Sequence, residues 1–449
     1  MASWTFSLSF LFEAVGKIDD FRNEEAIVIV SFSWLLLAFI SSIPFLLMGV
    51  FVSPVNAFFE AMSGMTTTGA TVLSYPLEVH PKSIMLWRGL LQWIGGMGVI
   101  VLSVAILTQL SRGGLTLLES EAPGPSITRL KPKIKETAKI LWYIYGLLTF
   151  SLIMLLLGAG LTPYNAVYHA FTTLSTGGFS PHTNSIGVYP PIVHWIIIFF
   201  MIAAGMNFSL HFQFFKGNIK TVFKNPELRF YLTVIAGGTS LTFIMLILTG
   251  ATPTDAIRDG MFQILTVITT TGYATVDFYN DWPEFGRMLL LVLMFVGGSA
   301  GSTAGGMKIV RITLILKMIK RKFKEFVNPR RVTVVRMGDN VITEGMLNSV
   351  AMFFSAYLLI FVLGALIMVA IGMDMVSGIS AAATTIGNVG PGLGMVGPAE
   401  NFRAVPHYGR LVLALLMWIG RLEIFTAIVL FNPSLYKERG LRRIFSFRR

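Results

Sequence analysis

The sequence is poor in charge and contains no cysteine. Of its 449 residues only 13% are charged, whereas 54% are hydrophobic. A soluble domain usually carries about 25% charged residues, so this composition argues against a soluble protein with a large core. The absence of cysteine excludes disulfides, thiol catalysis and cysteine-ligated metals.

Some stretches lack charge altogether. Residues 140–215 contain no Asp, Glu, Lys or Arg. A helix that crosses a bilayer needs about 20 predominantly apolar residues, so this stretch and others like it predict a multi-pass, all-α membrane protein. The apolar run at the start has no preceding basic region and no cleavage site. We therefore expect an interfacial segment there rather than a signal peptide.

Positive charge is concentrated in a few places. The net charge is +12, and most of the Lys and Arg residues lie at 108–139, at 215–229, at 308–336 and in the tail after residue 436. Short loops rich in Lys and Arg mark the cytoplasmic side of a membrane protein. The basic excess is therefore interpreted as a topology signal rather than as a sign of nucleic-acid binding. It predicts a protein of the cell membrane with both termini on the cytoplasmic side.

A string of Thr and Gly residues recurs four times. The copies are "TTTGAT" at 66–71, "STGGFS" at 175–180, "TTTGYAT" at 269–275 and "TTIGNVG" at 384–390. Aligned on Gly69, Gly177, Gly272 and Gly387, they recur about every 100 residues. Each copy lies between two long apolar runs, and a basic loop closes each unit.

This periodicity predicts four tandem helix–pore loop–helix repeats around a single pseudo-fourfold ion pore, with about eight transmembrane spans. The predicted units are an N-terminal segment at 1–25, repeats at 26–111, 112–216, 217–325 and 326–431, and a basic cytoplasmic tail at 432–449.

A short helix is expected before each string. Asn and Asp are favoured helix N-caps, and a preceding proline discourages an earlier helix start. The C-terminal end of a helix carries roughly half a negative charge, so four such ends directed at one point would favour a cation. The expected caps are Asn56, Asn165, Asp259 and Asp374, the first three preceded by Pro54, Pro163 and Pro253.

The strings themselves are suited to binding a dehydrated cation. Glycine permits positive φ, which lets backbone carbonyls point inward, and rings of such oxygens form potassium filters. The alternative is close helix packing through small residues. K+ in the filter is the only metal expected, and no other cofactor. The predicted K+-binding residues are Thr67, Thr68, Gly69, Ser175, Thr176, Gly177, Thr270, Thr271, Gly272, Ile386, Gly387 and Asn388.

The second apolar run of the third unit is interrupted. All ten residues of 297–306 are Gly, Ala, Ser or Thr, and each glycine costs about 1 kcal/mol relative to alanine inside a helix. A broken helix in a membrane points to a segment that lines the pathway, although close packing of small residues remains an alternative. The glycines of this predicted gate are Gly297, Gly298, Gly301, Gly305 and Gly306.

One arginine lies inside a predicted span. The second apolar runs align at "WIGG", "FVGG" and "WIGR", which places Arg421 where Gly96 and Gly298 stand in other units. Arginine at the centre of a spanning helix costs about 2.5–3.5 kcal/mol on insertion scales, so we expect a barrier in the ion pathway. The alternative is a structural pair with Glu423 or a neighbouring helix, although residues i and i+2 do not face each other on a helix.

These residues resemble the pore-forming subunits of the Trk/Ktr superfamily of potassium uptake systems, on the Trk side. The resemblance runs from about residue 24 to residue 431. It implies two such subunits per assembly and a cytoplasmic nucleotide-binding regulatory ring. The fourth string departs from the pattern, because Ile386 stands where the other strings have threonine. The most specific motifs are "LLQWIGGMGVIVL" (90–102), "GGSAGSTAGGMKIVRI" (297–312), "GPGLG" (390–394) and "GRLEIFT" (420–426).

The expected function is channel-like, potassium-selective uptake driven by the membrane potential, without enzymatic chemistry. The alternative is a symporter that couples K+ to Na+ or H+, for which Glu60 and Glu423 would be the acidic candidates. A membrane enzyme acting on lipid would need acids or histidines clustered at one interface. The six histidines show no metal-binding spacing.

Overall fold

The computed structural model describes residues 23–114, 134–330, 333–338 and 340–428. The predicted cytoplasmic tail lies outside the described residues, as does nearly all of the predicted N-terminal segment and much of the first basic loop.

The described structure is mostly helical, with one short antiparallel hairpin formed by β1 (Arg336–Met337) and β2 (Asn340–Val341). The helices are α1 (Asn23–Leu47), α2 (Pro54–Met65), α3 (Lys82–Gly114), α4 (Ile134–Gly158), α5 (Pro163–Leu174), α6 (Pro191–Gly205), α7 (Phe208–Phe215), α8 (Ile219–Lys224), α9 (Pro226–Leu248), α10 (Pro253–Ile268), α11 (Phe278–Asp281), α12 (Glu284–Leu293), α13 (Ile309–Val327), α14 (Glu344–Ala370), α15 (Met375–Gly387), α16 (His407–Arg421) and α17 (Phe425–Ile428).

The prediction of a multi-pass helical membrane protein is confirmed. In the described part of the chain, α1, α3, α4, α9 and α14 contain segments long and apolar enough to cross a membrane. A sixth span is present if α6 and α7 are taken together, although they meet at 102°. Fewer helices than the predicted eight qualify, because three of the expected second spans are bent or interrupted: α6 with α7, α12 with α13 and α16 with α17.

One order of elements recurs along the chain: a long helix, a short helix, an extended segment and a second helix. Within each unit the long helix packs on the short one, as α1 does on α2 and α14 on α15. Three of the short helices also contact the second helix of another unit: α5 packs on α3, α10 on α6 and, from the first unit to the fourth, α2 on α16. These contacts bring the C-terminal ends of the short helices together.

The predicted N-caps are correct for one short helix and wrong for three. Asp374 caps α15 by accepting the Ser377 N–H at 3.0 Å. The other three helices begin at their prolines, three or more residues earlier than expected, because a first-turn residue needs no hydrogen-bond partner for its N–H and proline has none. Their N-caps are Ser53, Thr162 and Thr252 rather than Asn56, Asn165 and Asp259.

Candidate functional site

The four short helices end in turns of one conformation. In each turn one residue has φ between +51° and +55° and is followed two positions later by a glycine with positive φ. We call the segments 66–69, 175–178, 269–272 and 387–390 the glycine turns. The first residue of each pair is Thr67, Thr176, Thr270 or Asn388, and the glycine is Gly69, Gly178, Gly272 or Gly390.

This register corrects two of the four aligned glycines. Gly69 and Gly272 are equivalent, as predicted, but their counterparts are Gly178 and Gly390 rather than Gly177 and Gly387. Gly387 is the last residue of α15, and Gly177 precedes its turn glycine. Both errors arose because the second string contains two adjacent glycines and the fourth contains several, so that the string alone does not fix where the helix ends.

The same shift removes Ile386 from the turn. It lies in the last turn of α15, equivalent to Met65 at the end of α2, and its side chain is fully buried. Its carbonyl contacts Gly420, as the Met65 carbonyl contacts Gly95. The residue that takes the place of Thr68 and Thr271 in the fourth turn is Val389, so this turn still lacks a hydroxyl there.

The glycine turns contact one another in a closed circle. The α-carbon of each turn glycine lies so close to a carbonyl of the next unit that no Cβ would fit. Gly69 faces the Gly177 carbonyl and Gly390 faces that of Thr68, which closes the circle from the fourth unit to the first. We call these four oxygens the carbonyl ring; they belong to Thr68, Gly177, Thr271 and Val389.

Side-chain oxygens brace the turns. The Thr66 and Thr68 hydroxyls lie 2.8 Å apart, and those of Thr269 and Thr271 lie 2.7 Å apart. In the fourth turn the Asn388 amide donates to the Thr68 hydroxyl at 3.0 Å. Buried polar groups are costly unless paired, so these bonds stabilise one arrangement of the first, third and fourth turns.

A buried ion pair that was not predicted lies beside the first turn. Glu60 on α2 accepts Arg88 Nε at 2.7 Å, and both side chains are essentially inaccessible. Glu60 also accepts the Thr71 hydroxyl at 2.9 Å and the Val72 N–H at 2.8 Å. The only advance signal was that both charges stand in otherwise apolar surroundings. The pair fixes the chain immediately after Gly69.

The predicted break in the third unit is present. Helix α12 ends at Leu293 and α13 begins at Ile309. The intervening residues, which we call the loop 294–308, bond to two of the glycine turns and to the last residue of α5, which directly precedes a third. Thr303 Oγ1 donates to the Leu174 carbonyl at 3.0 Å, the Gly305 N–H to Thr270 Oγ1 at 2.6 Å and the Gly306 N–H to the Gly387 carbonyl at 3.0 Å.

The loop is also bonded to the bend between α6 and α7. Ser299 N–H donates to the Gly205 carbonyl at 2.9 Å, and Phe208 N–H donates to the Gly301 carbonyl at 3.0 Å. The bend was not predicted, although Asn207 caps α7 by accepting the Ser209 N–H at 2.9 Å. The loop is therefore held by backbone hydrogen bonds from two sides.

Arg421 contacts this loop directly. Its side chain is 3% exposed, and NH1 donates to the Thr303 carbonyl at 2.8 Å. Among the described residues, its Nε and NH2 have no hydrogen-bond partner. The alternative pair with Glu423 is not formed, because Glu423 accepts Arg311 NH2 at 2.5 Å. Arg421 therefore joins the end of α16 to the centre of the loop.

Two further buried charged side chains, neither of them singled out from the sequence, bond to main-chain groups of the loop; one of them belongs to the loop itself. Glu227, in the first turn of α9, accepts the Ala300 N–H at 2.7 Å. Lys308 is 4% exposed, and its Nζ donates to the Ala304 carbonyl. With Arg421, these side chains hold the loop through main-chain groups at Ala300, Thr303 and Ala304.

Fold and site together define a multi-pass helical membrane protein in which short helices converge on a ring of backbone carbonyls above an irregular loop. A family model described as TrkH, a cation transport protein, matches residues 3–438. The chain therefore belongs to the TrkH family of cation transport proteins, which is not a family of enzymes.

Curated relatives and a solved structure support this membership along nearly the whole chain. The chain is 40% identical to the Trk system potassium uptake protein TrkH of Vibrio parahaemolyticus over 93% of its length and 87% of that protein. It is 32% identical to the Trk system potassium uptake protein TrkG of Escherichia coli, with 93% and 86% covered. The crystal structure of the potassium transporter TrkH from Vibrio parahaemolyticus matches with a TM-score of 0.84 at 39% identity, covering 93% and 87% of the chains.

Proposed function

We propose that the chain is a potassium-selective, channel-like pathway for K+ uptake, built from four helix–pore loop–helix repeats around one pseudo-fourfold axis. The observation that carries the proposal is the closed circle in which each turn glycine meets a carbonyl of the next unit. In this proposal the carbonyl ring replaces part of the hydration shell of K+. The relatives named as potassium uptake proteins support this choice of ion.

The proposed K+-binding residues follow the corrected register, at 67–69, 176–178, 270–272 and 388–390. The C-terminal ends of α2, α5, α10 and α15 direct partial negative charge toward them. K+ enters along the membrane potential, which supplies about 2.3 kcal/mol per charge for each 100 mV. No other cofactor is needed for this step.

The loop 294–308 is the proposed gate. In this proposal it lies on the cytoplasmic side of the glycine turns, and hydrogen bonds tie it to two of them and to the end of α5, just before a third. Arg421 adds a positive charge there and a bond to Thr303. Opening requires that these bonds break, so the gate has a closed state that is stabilised by contacts with the filter itself.

The two acidic residues that a symporter could use are already bonded to arginines, which argues against coupled transport. Glu60 is bonded to Arg88 and Glu423 to Arg311, so neither is a free carboxylate for a second cation. Glu227, a further buried acid, accepts a main-chain N–H of the loop. A symporter would have to disrupt one of these bonds in every cycle.

The proposed assembly is a homodimer in the cell membrane with both termini in the cytoplasm. A cytoplasmic nucleotide-binding ring is the proposed regulator; the names of the relatives, which assign them to a Trk system, support only that the chain has a partner. The basic residues of α13 are its proposed docking site.

Flux measurements on the purified chain in liposomes test the function. We expect K+ flux to exceed Na+ flux and the current to reverse at the K+ equilibrium potential. A second ion that moves in fixed ratio with K+, and shifts the reversal potential, would establish a symporter instead. Equal K+ and Na+ permeability would contradict the potassium filter.

A further inference from the structure

Gln92 on α3 lies beside the second glycine turn and binds it at two points. Its Nε2 donates to the Gly177 carbonyl at 2.6 Å, and its Oε1 accepts the Phe179 N–H at 3.2 Å. The side chain is fully buried. Gly177 contributes one oxygen of the carbonyl ring, so Gln92 is bonded directly to a ring member from outside the turn.

Gln92 also occupies the space beside the second turn where each of the other turns has a side chain of its own. The position of Gly177 is occupied by Thr68, Thr271 and Val389 in the other units, which all carry side chains. A Cβ at Gly177 would overlap the Gln92 carboxamide. The second turn therefore lacks a side chain at the place that an amide from α3 occupies.

The same face of α3 braces the neighbouring chain. Arg88, four residues before Gln92 and so on one face of the helix, places its guanidinium 4.0 Å from the centre of the Phe179 ring. Phe179 is thus held through its N–H by Gln92 and through its ring by Arg88. These contacts join the first and second units on both sides of Gly178.

We propose that Gln92 is a positioning residue for ion selectivity, which fixes the direction of the Gly177 carbonyl in the carbonyl ring. This inference rests on the proposed potassium filter and extends it. A carbonyl oxygen has two lone pairs; the amide uses one and leaves the other for the ion. Without the amide the carbonyl is free to turn toward a smaller cation, so discrimination against Na+ falls.

Gln263 on α10 provides a matched control. It is also a fully buried glutamine, on the short helix that precedes a glycine turn. Its Nε2 makes only a 3.4 Å contact with Thr275 Oγ1, and its Oε1 has no hydrogen-bond partner among the described residues. It does not reach a ring carbonyl. Replacing either glutamine by methionine conserves volume and removes the amide.

The first experiment compares K+ and Na+ permeability of Gln92→Met, Gln263→Met and wild type in liposomes, per folded protein. We expect Gln92→Met to lower the K+/Na+ permeability ratio by about threefold to tenfold, the range that one net hydrogen bond corresponds to. Gln263→Met should keep the wild-type ratio. An unchanged ratio in Gln92→Met, or an equal fall in both variants, would overturn the proposal.

The second experiment exchanges the two arrangements. Gly177→Thr alone should lower the yield of folded protein and its K+ selectivity, because the new side chain overlaps Gln92. The double variant Gln92→Ala with Gly177→Thr recreates the side-chain arrangement of the first and third turns and should regain yield and K+ selectivity. If the yield and K+ selectivity of the double variant are no higher than those of Gly177→Thr, the proposed exchange is wrong. This test does not need Gln92→Met, so it still applies if that variant cannot be purified.

The wild-type measurement separates the two levels of inference. A wild-type protein without K+ preference contradicts the proposed function itself. A selective wild type with an equally selective Gln92→Met contradicts only the role of Gln92.

Discussion

At the residue scale, Arg421 bonds directly to the proposed gate. Its bond to the Thr303 carbonyl comes from a charged donor in a buried site, and such bonds contribute about 1.5–3 kcal/mol. We expect Arg421→Ala to raise K+ flux by about tenfold or more through a shift of the loop toward its open state. The K+/Na+ ratio should stay unchanged. Arg421→Lys keeps the charge but loses the planar fork, so its flux should lie between those of wild type and Ala.

Flux per folded protein is the measurement for these variants, and Arg410 is the control. It is a buried arginine on the same helix, bonded to the Val405 and Arg403 carbonyls away from the loop. Arg410→Ala should lower yield without raising flux. A fall of both yield and flux in the two Arg421 variants would show that Arg421 is structural.

At single positions, the sequence predicted the kind of turn better than its register. Gly69 and Gly272 follow three threonines, so their strings could be aligned without ambiguity. Gly178 and Gly390 were missed because other glycines stand nearby, and the choice depends on where α5 and α15 end. Gln92 could not be found at all, since its partners Gly177 and Phe179 lie more than 80 residues away.

Among the elements, the loop 294–308 was predictable because its composition alone disfavours a helix. The starts of the short helices were not predictable, because a proline has two opposite meanings near a helix. It disrupts a helix when it lies in the interior, but it is favoured as the first residue of a helix. The bend after Gly205 was missed because α6 and α7 are both apolar, and a hydrophobic pattern does not show a change in direction.

The loop conformation depends on its glycines. Gly301 has φ +70°, a conformation that costs other residues roughly 1–2 kcal/mol. Gly305 leaves no room for a Cβ beside the Gly387 carbonyl. We expect Gly301→Ala to raise K+ flux about fivefold or more by weakening the closed loop, and Gly305→Ala to have a larger effect. The ion preference should change less than the rate.

Rates and permeability ratios in liposomes check this prediction, with Gly237→Ala as the control. Gly237 lies within α9 and has no atom within 4 Å of an added Cβ, so its flux should match wild type. Wild-type rates in folded Gly301→Ala and Gly305→Ala would mean that the loop only fills space and does not limit transport.

On the scale of the whole molecule, the four units are joined by contacts that no single unit encodes. Gly390 in the fourth unit meets the Thr68 carbonyl in the first, and Arg421 in the fourth meets Thr303 in the third. The periodicity predicted that four units exist; the inter-unit contacts depend on how their helices pack, which a one-dimensional pattern does not specify.

The basic helix α13 is the proposed docking site for the proposed regulator. Lys320 and Lys324 are four residues apart, on one face of α13, and neither forms an ion pair within the described residues. Arg321, between them, is bonded instead to Glu344 at the start of α14. The free lysines are therefore the expected contacts for an acidic surface of a cytoplasmic partner, while Arg321 fastens α13 to α14.

We expect Lys320→Gln with Lys324→Gln to weaken co-purification with the regulatory subunit by about tenfold, since two close charge contacts are lost, while leaving yield unchanged. The control is Lys216→Gln with Lys220→Gln, an exposed pair of the same spacing near α7 and α8, which should bind normally. Anionic lipid would attract each lysine by about 1 kcal/mol. Intact co-purification together with reduced binding to anionic vesicles would therefore assign this face of α13 to the membrane surface, and the regulator would have to dock elsewhere.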